Sequence, residues 1–318
     1  MKKKLKVFTI SDHPLMASGV AHTMRNIITA LLESGEFEVF SLGGAIKHDD
    51  YSLHRVQDYG DDWVIQPVDG FGTKELIRSA LRTQKPDVLL YQSDPRFFIH
   101  LHQMANEIRP LVPTVWYGIW DNYPYPLYNR STWNSCDHFA SISKVTHDLV
   151  STVCPTLDNT YLPHAVDHKI FKTLDKAEVT AFREEKFPQV EGDKFIAFWN
   201  NRNARRKHSG TLILWWKEFL DKVGHENATL IMHTNPFDQH GQNLIKIIKD
   251  FNLTEGQVII NSGLVSQESL NLLYNLADVT VNISDAEGFG LTTLESLSAG
   301  TPIIVNTVSY THLRAHET

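Results

Sequence analysis

Cysteine is scarce: 318 residues hold only Cys136 and Cys154, and neither belongs to a Cys-x-x-Cys pair. That usage argues against a disulfide framework and fits two reduced, structural thiols in a cytoplasmic setting. No run of about 18 apolar residues occurs, so no membrane-spanning helix is expected. The apolar run Leu5-Lys6-Val7-Phe8-Thr9-Ile10 is too short and too interrupted for a signal peptide and reads as a first strand. Histidine is plentiful at 16, yet no His-Glu-x-x-His occurs. The closest pair, His100 and His102, is explained better by strand alternation or a solvated loop than by zinc, so no metal is expected. An excess of positive charge is also missing. The net charge of −7 gives no reason to expect a nucleic-acid partner. Gly-x-Gly-x-x-Gly is absent, and with it the nicotinamide-binding fingerprint. Short repeats and low-complexity segments are absent too.

What remains is an ordinary globular composition, 42% hydrophobic and 21% charged, in a chain long enough for two domains. Strands and helices alternate. Strands are expected at Lys4–Ile10, Glu38–Leu42, Asp87–Tyr91, Thr114–Ile119 and Phe139–Ile142. Helices are expected at Ser18–Glu33, Lys74–Thr83, Phe97–Ile108 and from about Val145 to Val153. A charged, helical connector spans Asp175–Phe187. Beyond Glu191-Gly192-Asp193 the alternation resumes, with strands at Phe195–Trp199, Ala228–His233, Val258–Ile260 and Val279–Ile283. Helices there are expected at Thr211–Val223 and Gln242–Phe251, and from Ser266, as cap, through Leu276. This order predicts α/β architecture: two Rossmann-like halves, each a parallel sheet covered on both faces. The first is read as residues 1–170, a connector as 171–192 and the second as 193–307.

Two segments carry chemistry. Glu287-Gly288-Phe289-Gly290-Leu291-Thr292-Thr293-Leu294-Glu295 places two carboxylates around a glycine-rich turn that opens a helix. Gly300 and Pro302 end that helix. Gly288 and Gly290 permit close backbone approach, and a helix N-terminus suits a diphosphate. Glu287 and Glu295 can accept hydrogen bonds from hydroxyls. Such a turn before a helix is also a common structural device. The second segment is Asn200-Asn201-Arg202-Asn203-Ala204-Arg205-Arg206-Lys207-His208-Ser209-Gly210, after a strand and before a helix. Three arginines and a lysine on one loop either face solvent or meet an anion. Both segments lie beyond strand ends, where open α/β sheets bind ligands.

The first segment, with the following Ala-Gly-Thr-Pro, resembles the Glu-x7-Glu motif of the retaining family 4 glycosyltransferases. Arg202 and Lys207 have the spacing of that family's arginine and lysine, with Arg206 as a rival for either position. Leu272–Val279 resembles the run ahead of the motif. Pro163-His164-Ala165-Val166-Asp167 resembles the run that closes the family's first domain. The resemblance implies a GT-B fold, two Rossmann-like domains facing across a cleft, and transfer from a nucleotide-diphosphate sugar with retention of configuration. It implies that Arg202 and Lys207 bind the donor diphosphate, so that neither metal nor other cofactor is needed. Glu287 would then meet the sugar, Glu295 the ribose, and Gly288, Phe289, Gly290 and Leu291 the sugar and phosphate. Gly19, after the first strand, would allow approach to a phosphate or acceptor. The histidine that many relatives carry after their fourth strand is replaced in Trp116-Tyr117-Gly118-Ile119-Trp120-Asp121, which leaves Asp121 as the polar group there. The rings of Trp116, Tyr117, Trp120, Tyr123 and Tyr125 either stack on sugars or fill the core. Replacing Glu287 or Lys207 by alanine is expected to remove most transfer without unfolding the protein.

The acceptor is a glycan, lipid or small molecule that the sequence does not identify. A peripheral membrane contact through Lys2–Lys6 stays open. So do an epimerase or phosphorylase of similar architecture and a non-catalytic nucleotide-sugar-binding or scaffold protein. A glycoside hydrolase fits poorly, because both carboxylates lie on one segment. Residues 308–318 resemble a translated transposase adapter rather than the continuation of the family pattern. The second domain is therefore expected to be truncated, which adapter-free genomic sequence would test.

Overall fold

A computed structural model describes residues 3–120 and 122–306. Residues 308–318, expected to be foreign, fall outside them. The chain forms two compact units, 1–164 and 165–318. The dividing point lies inside Pro163–Asp167, so the connector groups with the second unit.

The first unit is built on eight strands: β1 (Leu5–Asp12), β2 (Phe37–Gly44), β3 (His54–Arg55), β4 (Trp63–Pro67), β5 (Val88–Ser93), β6 (Thr114–Gly118), β7 (His138–Ser141) and β8 (Asp158–Tyr161). Their order is β3-β4-β2-β1-β5-β6-β7-β8. All pairings are parallel except β3 with β4. Central strands of a sheet covered on both faces read as continuous apolar runs, as Val7-Phe8-Thr9-Ile10 does. One face buries Phe8, Ile10, Tyr91, Trp116 and Phe139; the other buries Val7, Val39 and Ile65 under Met24, Ile28 and Leu32 of helix Gly19–Glu33. Gly118 is needed where it stands: a Cβ there would lie 1.9 Å from Phe139 Cζ.

The second unit has a five-stranded sheet: β9 (Phe195–Asn200), β10 (Ala228–His233), β11 (Val258–Asn261), β12 (Val279–Asn282) and β13 (Ile303–Val305). Its order is β11-β10-β9-β12-β13, all parallel. The connector helix Lys176–Lys186 joins the core of this unit. Phe187 and Val190 are buried with Phe171, Phe198 and Tyr274.

The α/β alternation and most elements match the sequence reading to within a few residues. Four strands that it left unassigned lie towards sheet edges, β3, β4 and β8 in the first sheet and β13 in the second. Trp63-Val64-Ile65-Gln66-Pro67 alternates buried and half-buried positions, a half-buried strand pattern. The single helix expected over Phe97–Ile108 is instead three short turns, Pro95–Phe98, Ile99–Gln103 and Ala105–Ile108. Met104, at φ −96° and ψ 2°, interrupts it. His100 and His102 therefore sit on a helical turn, not on a strand or solvated loop. His102 is packed on Trp116, ring centroids 5.0 Å apart, and burial lowers its pKa to about 4.

An aspartate just ahead of a strand recurs as a register lock. Asp87 accepts from the Lys6 amide, Asp137 from the Thr114 amide and Asp278 from the Ile196 amide, each on the neighbouring strand or just beside its first residue. Asp137 is the most connected. It also accepts from Thr114 Oγ1 at 2.8 Å and Arg109 Nε at 2.8 Å. Partial burial alone would raise its pKa, but these donors lower it. Asp137→Ala is expected to cost about 1.5–3 kcal/mol at neutral pH, as a charge-assisted hydrogen bond does. Because its folded pKa is depressed, that contribution is present above the unfolded value near 3.8 and fades as pH falls below it. Urea unfolding of both proteins at pH 7 and pH 3 would show the difference shrinking in acid.

Candidate functional site

The second sheet reverses direction at β9. From β9 the chain moves outward to β10 and β11, then returns to the other side of β9 as β12. Adjacent loops at such a reversal part to leave a crevice beyond the carboxyl ends. The two loops flanking this one are the segments singled out in the sequence. The basic loop follows β9, and the Glu287 turn follows β12.

They meet through charge. After β9 the chain makes a tight turn, Arg205–Lys207, that ends on His208 in the left-handed region at φ 55° and ψ 35°. This turn sends Lys207 inward, where it is only 6% exposed. Lys207 Nζ is paired with Glu287 Oε1. Arg206 Nη1 lies 3.4 Å from Glu287 Oε2 and also donates to the Ala286 carbonyl. Ser284 Oγ lies 3.3 Å from Glu287 Oε1 and donates to Asn282 Oδ1 at 2.6 Å. The backbone joins the loops as well, from the Asp285 amide to the Arg206 carbonyl at 3.0 Å. His208 Nε2 reaches Asp285 Oδ2 at 2.7 Å. Burial alone would raise the pKa of Glu287, but Lys207, then Arg206, outweigh it and hold the carboxyl below the ordinary value.

Above this pair the chain turns through Gly288 and the buried Phe289 to Gly290, at φ 88° and ψ 54°. That left-handed geometry suits glycine. Helix Leu291–Ser298 starts here with no side-chain cap, and because the Thr293 amide donates to the Gly290 carbonyl at 3.0 Å, the amides of Leu291 and Thr292 are the ones placed to meet a ligand. Glu295, one turn on, is half-buried and accepts from Tyr274 Oη at 2.7 Å. Tyr274 Oη in turn accepts from Asn200 Nδ2 at 3.0 Å. Burial raises the Glu295 pKa to about 7, against which the tyrosine hydroxyl acts. Three polar atoms near this edge, Asn201 Nδ2, Thr234 Oγ1 and Thr293 Oγ1, are buried without a hydrogen-bond partner.

Arg202 is placed elsewhere. Its guanidinium makes a two-pronged pair with Asp238, Nε to Oδ2 at 2.7 Å and Nη2 to Oδ1 at 3.2 Å. Arg206, one turn nearer Lys207, stands at Glu287 instead. Gly19 opens helix Gly19–Glu33 in the first unit, behind a cap in which Ser18 Oγ accepts from the Ala21 amide and donates to Asp12. Asp121 lies outside the described residues. Trp116 and Tyr117 are core residues, whereas Tyr123 and Tyr125 are exposed. Sequence reasoning missed Asn200, Tyr274, Ser284 and Asp238. The polar Asn200 ending an apolar strand was the one local signal.

Residues 181–313 match the family model Glycosyl transferases group 1. The matched residues make up less than half of the chain. Alpha-monoglucosyldiacylglycerol synthase of Acholeplasma laidlawii is 28% identical over 149 residues, which cover 46% of this chain and 35% of that protein. The aligned stretch is thus about a third of that relative's length. Sucrose-phosphate synthase from Thermosynechococcus elongatus is similar in structure, with TM-score 0.77 and 16% identity over 96% of this chain and 82% of that one. Anabaena HepE, in a complex with UDP-glucose, gives 0.72 and 14% identity over 99% and 83%. Likeness at such identity establishes the fold, an α/β chain with two Rossmann-like sheets as in the GT-B glycosyltransferases.

Burial of Lys207 with Glu287 changes what their replacement should do. Removing one partner leaves the other charged and enclosed, at about 3–5 kcal/mol. Glu287→Ala and Lys207→Ala are therefore expected to destabilise the second unit, unlike the expectation from sequence. The double change Lys207→Met with Glu287→Leu should recover much of the loss. Denaturant unfolding of the four proteins decides this, and additive losses would remove the buried pair from the account.

Glu295 gives a pH signature. Its folded pKa near 7 exceeds the ordinary 4.5, so the fold binds its proton more tightly than the unfolded chain does. The resulting stabilisation is complete below about pH 4.5 and is lost as pH rises through 7. Between pH 5 and 8 the wild type should lose on the order of 1–3 kcal/mol relative to Glu295→Gln. Parallel stability curves across that range would contradict it.

Proposed function

We propose that this chain is a glycosyltransferase that takes a sugar from a nucleotide-diphosphate sugar and passes it to an acceptor hydroxyl with retention of configuration. The observation that carries the reading is the meeting of Arg206 and Lys207 with the Glu287–Leu291 turn at the sheet reversal. Cations, free helix amides and carboxylates converge there, as a diphosphate between hydroxyl-rich groups requires.

In this reading the bond from the sugar C1 to the diphosphate oxygen breaks, and the nucleoside diphosphate leaves with the electron pair. Lys207 and Arg206 stabilise the charge that develops on it. The acceptor oxygen bonds to C1 on the face that the diphosphate leaves. Its proton passes to the departing phosphate oxygen, so no protein nucleophile is used. Glu287, held ionised by its neighbours, accepts hydrogen bonds from sugar hydroxyls. Glu295, steadied by Tyr274, accepts from the ribose. Arg202 reaches the diphosphate if it exchanges Asp238 for the ligand. A resident metal or other cofactor has no role in the proposed chemistry.

HepE in complex with UDP-glucose makes that compound the first donor to try. The names of the similar proteins suggest a hexose phosphate and a glucosyl diacylglycerol as first acceptors. Incubation with a panel of nucleotide sugars should release nucleoside diphosphate only when donor and acceptor match. Arg206→Ala should lower kcat/KM by about ten- to a thousand-fold, as loss of one charge-stabilising donor does. Donor binding without release under all pairings would favour the non-catalytic reading, and no donor binding would overturn both.

A further inference from the structure

The first unit contains a hollow of about 490 Å³ that the transfer site does not use. It lies at the amino ends of β5 and β6, where Lys85-Pro86 leads into β5 and Leu111-Val112 into β6. Ligands of open α/β sheets gather at the opposite, carboxyl ends. The hollow's size is within the range of small-molecule sites, roughly 300–1,000 Å³.

Its lining has two kinds of chemistry. Leu81 and Val112 make an apolar floor, and Leu111 stands at the lip with 69% of its surface exposed. Three cations, Arg78, Arg82 and Lys85, surround them. Arg78 is committed, donating to both oxygens of Glu107 at 2.7 and 3.0 Å and lying 3.6 Å from Glu75. The acidic groups nearby are thereby neutralised. Arg82 and Lys85 make no ion pair with any described residue. Cations at a helix C-terminus also complement the helix dipole, which accounts for one of them at no cost. Lys85 is different. It caps helix Lys74–Gln84 at φ 46° and ψ 59°, a conformation in which glycine or asparagine is the unstrained choice. A lysine there accepts backbone strain and holds a charge over an apolar hollow.

We propose that this hollow binds an amphipathic phosphate, its head on Arg82 and Lys85 and its apolar body on Leu81, Leu111 and Val112. Octyl phosphate, below its micellar concentration, tests the shared chemistry by calorimetric titration into the full chain. Inorganic phosphate and octyl glucoside serve as head-only and tail-only probes. Saturable binding of octyl phosphate, at least about ten-fold tighter than either fragment, is expected. Arg82→Gln with Lys85→Gln, and separately Leu111→Asp, should each weaken it by a similar factor while each variant still unfolds in one cooperative denaturant transition. Lys85→Gly, which suits the local backbone, should weaken it too. Vesicles of phosphatidylglycerol and of phosphatidylcholine identify the source. Retention by the first alone, lost in the same variants, points to a lipid headgroup, and octyl phosphate binding without vesicle binding points to a free metabolite. The proposal fails if octyl phosphate does not saturate, if inorganic phosphate binds as tightly, or if the variants bind as the wild type does.

Discussion

A lysine and a glutamate eighty residues apart are enclosed together in the second unit, and the candidate site depends on that pair. Neither charge is tolerable there alone. Together they tie the loop after β9 to the loop after β12, across the point where the sheet reverses. Arg206, Ser284 and the Asp285 amide reinforce the tie. A site so built has its cations and its carboxylate fixed before any ligand arrives, the condition for electrostatic preorganisation.

The two glutamates of the motif have opposite environments. Glu287 is surrounded by cations and stays ionised. Glu295 is half-buried beside a tyrosine hydroxyl, with no cation among the described residues paired to its carboxyl, and desolvation raises its pKa to about 7. Burial acts on both, and the neighbouring charge decides the outcome. Seven intervening residues of one turn and one helix produce that contrast. In the proposed reading one of these carboxylates meets sugar hydroxyls and the other a ribose, and the two need not share a protonation behaviour.

Much of the fold was legible. Buried parallel strands announce themselves as apolar runs, and the glycine, proline and cap residues between them mark the ends. The strands missed were peripheral. β3 has two residues and both are exposed, so no pattern could reveal it. The interrupted helix near Met104 was missed because its apolar spacing continues across the break, and spacing does not register a change of ψ. Of the site, the loops and their two carboxylates could be read, since glycines and charges in that order are informative wherever they fold. The choice between Arg202 and Arg206 could not, because it rests on Asp238, thirty-six residues away on another loop.

The sequence by itself determined the alternation of strands and helices, the two halves, and the candidacy of Glu287, Glu295, Lys207 and the glycine turn, all of which are local in the chain. Tertiary structure alone decided which arginine meets Glu287, that Lys207 is enclosed rather than solvated, and that Tyr274, itself bonded by Asn200, reaches Glu295. Each of those is a contact between segments that only strand order brings together. Their energies come from burial and neighbouring charge, which no stretch of sequence contains.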